Sequence, residues 1–414
     1  VSNAEDIRMR GFRRRSTVEE ALAAALDGVT TLPAETVRVA DSAGRVPATD
    51  VTSRVDVPSF RRAMMDGYAV RAEDTYGASM YNPIPLRVVD ASMPGSPAAA
   101  PMPPGSCVRI MTGAPIPDEA DAVLKVEDTT GTGPVIEATA PVPSGRNAAR
   151  VGEDVRRGDP VISAGRVLLP QDVGILAAIG AGEVAVVRRP VVRIIVSGDE
   201  LVPPGTSPDG SSIVDSNSPM LAALVERDGG IPQVLRLPDE RSAMEEALSR
   251  PGADVIVTSG AASVGSEDRV PVIVAELGEL AVHGLTMRPS APTGIGTIGS
   301  SRVAILPGNP VACLAAYDFF AGPVIRMLGG LPAAWPYRSV QRPLVRRLVS
   351  QVGRTDYARV IVDEDGVSPI AISGSSILSS VTGASGFVVV PSESEGYAEG
   401  TVVDVHCYRG DCST

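Results

Sequence analysis

Lysine is almost missing from this chain: of 37 basic residues, Lys125 is the one lysine and the other 36 are arginine. No GxxxxGK[ST] loop is present, which excludes a P-loop nucleotide hydrolase. Histidine is limited to His283 and His406, and the cysteines Cys107, Cys313, Cys407 and Cys412 form no CxxC pair. These scarcities argue against a His/Cys zinc site, and the cysteines read as reduced thiols of a cytoplasmic protein. Aromatic residues make up 3%, too few for stacking along a nucleic acid, and a net charge of −12 opposes a general binder of phosphate backbones. The most apolar long run, 173–187, is broken by Glu183 and contains Gly174, Gly180 and Gly182, so no membrane span is expected. No targeting segment is visible in the first residues.

What is present is apolar material in quantity. With 44% hydrophobic and 21% charged residues over 414 positions, the chain is expected to be globular and to contain about two to four domains. Residues 16–26 open on Ser and Thr with Glu19 and Glu20 in the first turn, the mark of a helix start, and Gly28 ends the helix. From 36 to about 144 short β-like pieces are separated by Pro and Gly. In this region Asp66-Gly67 reads locally as a turn before a short strand, and Thr112-Gly113 as a hairpin corner. Further on, Gly152-Glu153-Asp154 precedes another turn and 169–172 open a helix over 173–178. The expected organisation is a split linking domain (5–40 and 145–188) carrying a β-rich inserted domain (41–144).

After Arg188-Arg189-Pro190 the texture alternates. Strands are predicted at 191–196, 234–237, 255–257, 285–287 and 303–306, and helices at 219–227, 241–248, 270–277 and 310–327. This pattern predicts an α/β domain (189–333) with a parallel sheet, whose ligands bind beyond the carboxyl ends of the strands. The polar loops fall at that edge: 197–200, 238–240, 288–294 and 307–310. The stretch 254–268 is the most telling. A buried strand runs into a loop of small residues and hydroxyls and then meets a helix start at Ser266-Glu267-Asp268. It reads either as an ordinary strand-to-helix connection or as a cradle of N–H groups and hydroxyls for an oxyanion. Glu200, Asp239 and Asp268 on one rim favour a cation or anionic-ligand site over a solvated face. Beyond Trp335-Pro336 the chain is β-like, with strands at 344–349, 357–362, 377–378, 387–390 and 402–405, predicting a C-terminal barrel or sandwich (334–410).

Eight blocks in order carry a resemblance over nearly the whole chain. They are Met65-Asp66-Gly67-Tyr68-Ala69-Val70, Arg109-Ile110-Met111-Thr112-Gly113-Ala114-Pro115-Ile116-Pro117, Gly152-Glu153-Asp154, Ser197-Gly198-Asp199-Glu200-Leu201, Asp215-Ser216-Asn217-Ser218, Thr258-Ser259-Gly260, Ser263-Val264-Gly265 and Leu306-Pro307-Gly308-Asn309-Pro310. In these the chain resembles the molybdopterin molybdenumtransferases, the MoeA proteins and the E domain of gephyrin. The resemblance implies an elongated, four-part homodimer that inserts molybdate into adenylylated molybdopterin with Mg²⁺ and releases AMP. A molybdopterin adenylyltransferase is the implied partner that delivers the pterin. It also implies Glu200, Asp239 and Asp268 as direct or water-mediated Mg²⁺ ligands. Ser259, Gly260, Ser263 and Gly265 would hold the phosphate, beside Pro307, Gly308 and Asn309. Asp66, Thr112 and Asp154 would come from the partner subunit, and Arg359 and Ser375 match positions associated with molybdate. The chain departs from the family where Lys-Pro-Gly-Lys-Pro is usual: Arg288-Pro289-Ser290-Ala291-Pro292 stands there. Gly284 replaces a basic residue and Ala261 a glycine, with Arg288 keeping a positive charge. The missing lysines are the support for an alternative, a carrier or scaffold that binds molybdopterin without catalysis.

Overall fold

The computed structural model describes residues 15–260, 269–371, 374–410 and 412. Its centre is a six-stranded sheet in the order Ile231–Leu237, Val191–Ser197, Val255–Ser259, Ser301–Leu306, Gly294–Ile298, Glu279–His283. Side-chain alternation along these strands decides which layer each residue feeds. Val192, Ile194, Val196, Val255, Val257, Ala304 and Leu306 face the helices Val18–Leu26, Asn217–Arg227 and Pro310–Ala316 with its continuation. Ile195, Ile256, Val303 and Ile305 face Arg241–Ser249 and Val270–Leu277 on the other side. The continuous helical run Pro310–Leu328 is long and apolar enough to cross a membrane by composition, but 94% of it is buried inside the protein, where it forms the core of the first layer.

The first four strands are parallel, as predicted, but the sheet is mixed. Gly294–Ile298 returns antiparallel along Ser301–Leu306, and Glu279–His283 runs antiparallel beside it. Ile298 pairs with Ser301, leaving two residues in the turn, too few for any crossover; Gly299 leads that turn at φ 57°. The strand predicted at 285–287 does not join this sheet. Met287–Arg288 pairs with Thr355–Val362 of the C-terminal sheet instead. The helix Val18–Leu26, capped by the reciprocal Thr17 and Glu20 bonds, was expected with the split module; its buried face packs into the first layer of the α/β core.

Strand pairing shows how the β-rich part is inserted. Ala34–Arg38 pairs with Glu183–Val187, Val51–Thr52 with Pro160–Ile162, and Arg62–Ala63 with Ala148–Ala149, so the chain leaves and returns along itself. Between these lies a second six-stranded sheet holding Gly67–Val70, Ser106–Ile110 and Ala122–Lys125 side by side.

The C-terminal sheet is built on Thr355–Val362, Gly386–Val390 and Val402–Cys407, with the edge strand Arg338–Pro343. Residues 377–378 form no strand and lead into the short helix Ser379–Thr382. Cys407 and Cys412 form a disulfide, which corrects the reading of all four cysteines as thiols: the turn after Val402–Cys407 brings the two Cα atoms to 4.9 Å. Cys107 and Cys313 are free and buried. This sheet docks on the α/β core through aromatic packing of Phe319, Trp335, Tyr357 and Phe387. The Trp335 indole N–H donates to the Asp318 carbonyl at 2.9 Å and the Tyr337 hydroxyl to the Asp318 carboxylate at 2.9 Å, which fixes where the C-terminal loops sit over the parallel strands.

Candidate functional site

Register brings the carboxyl ends of four parallel strands level: Ser197 stands opposite Leu237, Val196 opposite Ser259, and Ser259 opposite Leu306. The loops that follow therefore meet at one edge. Gly260 turns away from its strand at φ 98°, and a Cβ there would stand 2.8 Å from the Ser197 carbonyl oxygen, so the position requires glycine. Gly308 lies against it, with its own hypothetical Cβ 3.5 Å from the Gly260 Cα. Asn309 begins the helix Pro310–Ala316, whose Val311 and Ala312 N–H groups donate to the Ser375 carbonyl at 2.9 and 3.4 Å.

The amide of Asn217 joins these loops. Its Nδ2 donates to the Ser259 hydroxyl at 2.8 Å and to the Gly308 carbonyl at 2.7 Å, while its Oδ1 is buried with no hydrogen-bond partner. Asp215 sets the start of this helix: it accepts from the Ser218 N–H at 2.9 Å and from Arg236 Nε at 2.8 Å. Burial would raise the Asp215 pKa, but the Ser218 hydrogen bonds and Arg236 outweigh it and hold the carboxylate below its ordinary value. Asn217 lies in the block Asp215-Ser216-Asn217-Ser218 that carries the family resemblance, but nothing in its sequence context shows this role. A buried amide between two loops distant in sequence leaves no signature in composition or spacing.

The C-terminal domain completes the edge. Asn309 Nδ2 donates to the Ser375 hydroxyl at 3.0 Å, and the Val311 N–H donates to the Ser375 carbonyl at 2.9 Å. Arg359, almost wholly buried, donates to the Gly374 carbonyl at 3.2 Å and the Ser380 hydroxyl at 2.9 Å, and so supports the loop that presents Ser375. Burial lowers the pKa of this guanidinium. Thus Ser259, Gly260, Gly308, Asn309, Ser375 and Arg359, scattered over more than a hundred residues, form one chain of contacts. Pro307 leads from the buried Leu306 into this loop. Arg288 is exposed at the end of Met287–Arg288, and no described carboxylate pairs with it. Two residues on, Ser290 holds φ 94° where the family has glycine, tied by its hydroxyl to the Ala312 carbonyl at 2.7 Å.

Of the acidic rim, Glu200 and Asp239 are exposed on neighbouring loops. Asp199 Oδ1 accepts the Asp239 N–H at 3.2 Å, and the Glu200 carboxylate folds back to within 2.8 Å of where a Gly198 Cβ would stand. Asp268, Ser263, Gly265 and Ala261 lie outside the described residues. Among the described residues no group of three His, Cys, Asp or Glu is close enough to hold a metal ion. Cys313, 3.6 Å from the Ser259 hydroxyl, has its thiol pushed up to about 12 by burial, so it offers no thiolate nucleophile.

A second constellation lies in the inserted sheet. Gly67 pairs with Ile110, which places Asp66 beside Thr112. Asp66 Oδ1 accepts the Thr112 N–H at 2.7 Å and its hydroxyl at 2.8 Å, and these bonds, the N–H first, hold the carboxylate below its ordinary pKa. The exposed Met64, Met65 and Met111 flank the pair. Asp154 is exposed in a neighbouring turn, where its N–H donates to the Val57 carbonyl at 3.0 Å; no hydrogen bond joins it to Asp66 or Thr112.

A three-layer α/β core with loops gathered at its carboxyl edge, an inserted β sheet and a docked C-terminal sheet define a multidomain protein of the MoeA class. The family models agree along the chain. Residues 16–180 match the MoeA N-terminal region (domain I and II), 193–327 the probable molybdopterin binding domain, and 341–408 the MoeA C-terminal region (domain IV). A Mycobacterium tuberculosis protein named molybdopterin molybdenumtransferase 2 is 34% identical over 386 residues, covering 89% of this chain and 94% of its own. The Haemophilus influenzae molybdopterin molybdenumtransferase is 31% identical over 393 residues, 91% of this chain and 94% of that one. The crystal structure of a Pyrococcus horikoshii molybdopterin biosynthesis MoeA protein superposes with a TM-score of 0.82 at 31% identity, covering 96% of this chain and all of that one. The chain belongs to the MoeA family.

Proposed function

We propose that this protein is a molybdopterin molybdenumtransferase acting in molybdenum cofactor biosynthesis: it inserts molybdate into adenylylated molybdopterin and releases AMP. The observation that carries the reading is the continuous contact from the Ser259-Gly260 loop through Asn217 and Gly308 to Asn309 and Ser375. It supports a cradle in which one ligand touches both the α/β core and the C-terminal domain.

In this reading the N–H groups around Gly260 and Gly308 and the Ser259 hydroxyl take phosphate oxygens. Arg288, exposed and with no carboxylate partner among the described residues, would add positive charge from the loop that Ser290 ties to Ala312. Mg²⁺ suits the rim, because this ion needs only one or two carboxylates besides phosphate oxygens and water, and Glu200 and Asp239 offer hard oxygen donors on adjacent exposed loops; the family resemblance adds Asp268 as a third candidate. Bound there, it would neutralise the phosphoanhydride linkage as the AMP group leaves. Arg359 donates to the loop carbonyl and hydroxyl around Ser375, so its part is to hold the molybdate-facing loop in place. A homodimer would bring Asp66, Thr112 and Asp154 from the partner to close the cleft. The exposed methionines 64, 65 and 111 beside that pair support a surface that assembly covers. The test is release of AMP from adenylylated molybdopterin on addition of molybdate and Mg²⁺ to the purified chain.

A further inference from the structure

We propose that Asn217 is a positioning residue that locks the Gly308–Asn309 peptide in the orientation that binds the anionic group of the adenylylated pterin. The argument begins with the amide. Asn217 is 7% exposed, and its Nδ2 donates to the Gly308 carbonyl at 2.7 Å and the Ser259 hydroxyl at 2.8 Å. The opposite amide orientation would set Oδ1 against the Gly308 carbonyl, so the contact itself decides which atom is nitrogen.

The consequence follows from peptide geometry. In a planar trans peptide the N–H points opposite to the C=O, so a Gly308 carbonyl held toward Asn217 turns the Asn309 N–H away from it. Neither the Gly308 nor the Asn309 N–H meets an acceptor among the described residues. Both are therefore available at the opening of the Pro310–Ala316 helix, where the backbone dipoles favour negative charge. Glycine at 308 has little side-chain bulk to resist a peptide flip, so an external hold is required, and Asn217 supplies it from another helix. Its second bond acts in the same direction: with the Ser259 oxygen accepting from Nδ2, the Ser259 proton is left for Cys313 or for a ligand. The Oδ1 of the same amide is buried without a partner, so the Asn217 side chain is held in place by its two Nδ2 bonds alone.

This inference rests on the transferase reading for the ligand's identity, so the test separates the two. Binding of adenylylated molybdopterin and, separately, of molybdate is measured by calorimetry on the full chain for wild type, Asn217→Ala and Asn217→Asp, together with AMP release. Loss of the hold is expected to weaken adenylylated molybdopterin binding roughly 10- to 100-fold, the worth of a hydrogen bond to a charged group. Molybdate binding is expected to fall by less than pterin binding, because Asn217 reaches the molybdate-associated Ser375 only indirectly, through Gly308 and Asn309. Asn217→Asp keeps the size of the side chain and covers the case in which Asn217→Ala fails to fold. Unchanged pterin binding, or equal losses for both ligands, overturns the role of Asn217. Wild type that binds the pterin but releases no AMP overturns the transferase reading alone, and the binding arm still decides Asn217; wild type that binds neither ligand overturns both.

Discussion

Replacing Gly260 by alanine tests the cradle at its tightest point. Two costs add. The residue sits at φ 98°, outside the comfortable range of an L-amino acid, which costs about 1–2 kcal/mol. The new Cβ would also stand 2.8 Å from the Ser197 carbonyl oxygen, a backbone atom at the carboxyl end of Val191–Ser197 that is held by the strand it closes. Relieving such overpacking costs roughly 1–3 kcal/mol. The sum predicts a loss of about 2–5 kcal/mol in urea denaturation followed by circular dichroism. Gly308→Ala is the control, because its Cβ would make an ordinary 3.5 Å contact with the Gly260 Cα and its φ is not positive; it should cost less than about 1 kcal/mol. A Gly260→Ala variant within about 0.5 kcal/mol of wild type, or a control that costs as much, would refute the packing argument for this loop.

Three further outcomes follow from the same geometry. Asp66 has a depressed folded-state pKa, so its bonds to Thr112 are present above the ordinary carboxylate range and are lost as pH falls through the lowered value. Thr112→Val removes the hydroxyl bond but not the N–H bond and should raise the Asp66 titration part of the way back, and an NMR titration showing no change would contradict the pairing. Arg359→Ala removes a buried guanidinium that supports residues 374 and 380 and should cost about 2–3 kcal/mol and raise the KM for molybdate. A variant with normal stability and molybdate KM would count against this support. Glu200→Gln should raise the Mg²⁺ concentration for half-maximal AMP release about tenfold or more, since a lost carboxylate ligand typically costs at least that in affinity; an unchanged Mg²⁺ requirement would remove Glu200 from the metal site.

Much of the α/β core was legible because its parallel strands are short apolar runs buried on both faces, bounded by polar loops. The antiparallel hairpin escaped because Gly294–Ile298 carries glycine at 294 and 296 and so lacks a strand's usual apolar content. The structure supplies the reason: a Cβ at Gly296 would fall 2.2 Å from the Glu279 carbonyl oxygen. The place of Met287–Arg288 beside Thr355–Val362 is not legible in the sequence, because a hydrophobic pattern shows that a segment is buried and not against which layer. The Cys407–Cys412 bridge depends on the turn between the two residues, which their spacing alone does not encode. Asp66 and Thr112, 46 positions apart, meet through strand register. The family resemblance identified both, while their contact had to come from the fold. Asn217 shows the complementary gap: its motif was visible, but its role depends on two loops that only the folded chain brings together.

The most direct measurement is AMP release from adenylylated molybdopterin by the purified full chain, with and without molybdate and Mg²⁺. The account predicts release that requires both and is accompanied by formation of molybdenum cofactor. Tight binding of the adenylylated pterin with no AMP released at saturating molybdate and Mg²⁺ would contradict it and mark the protein as a carrier.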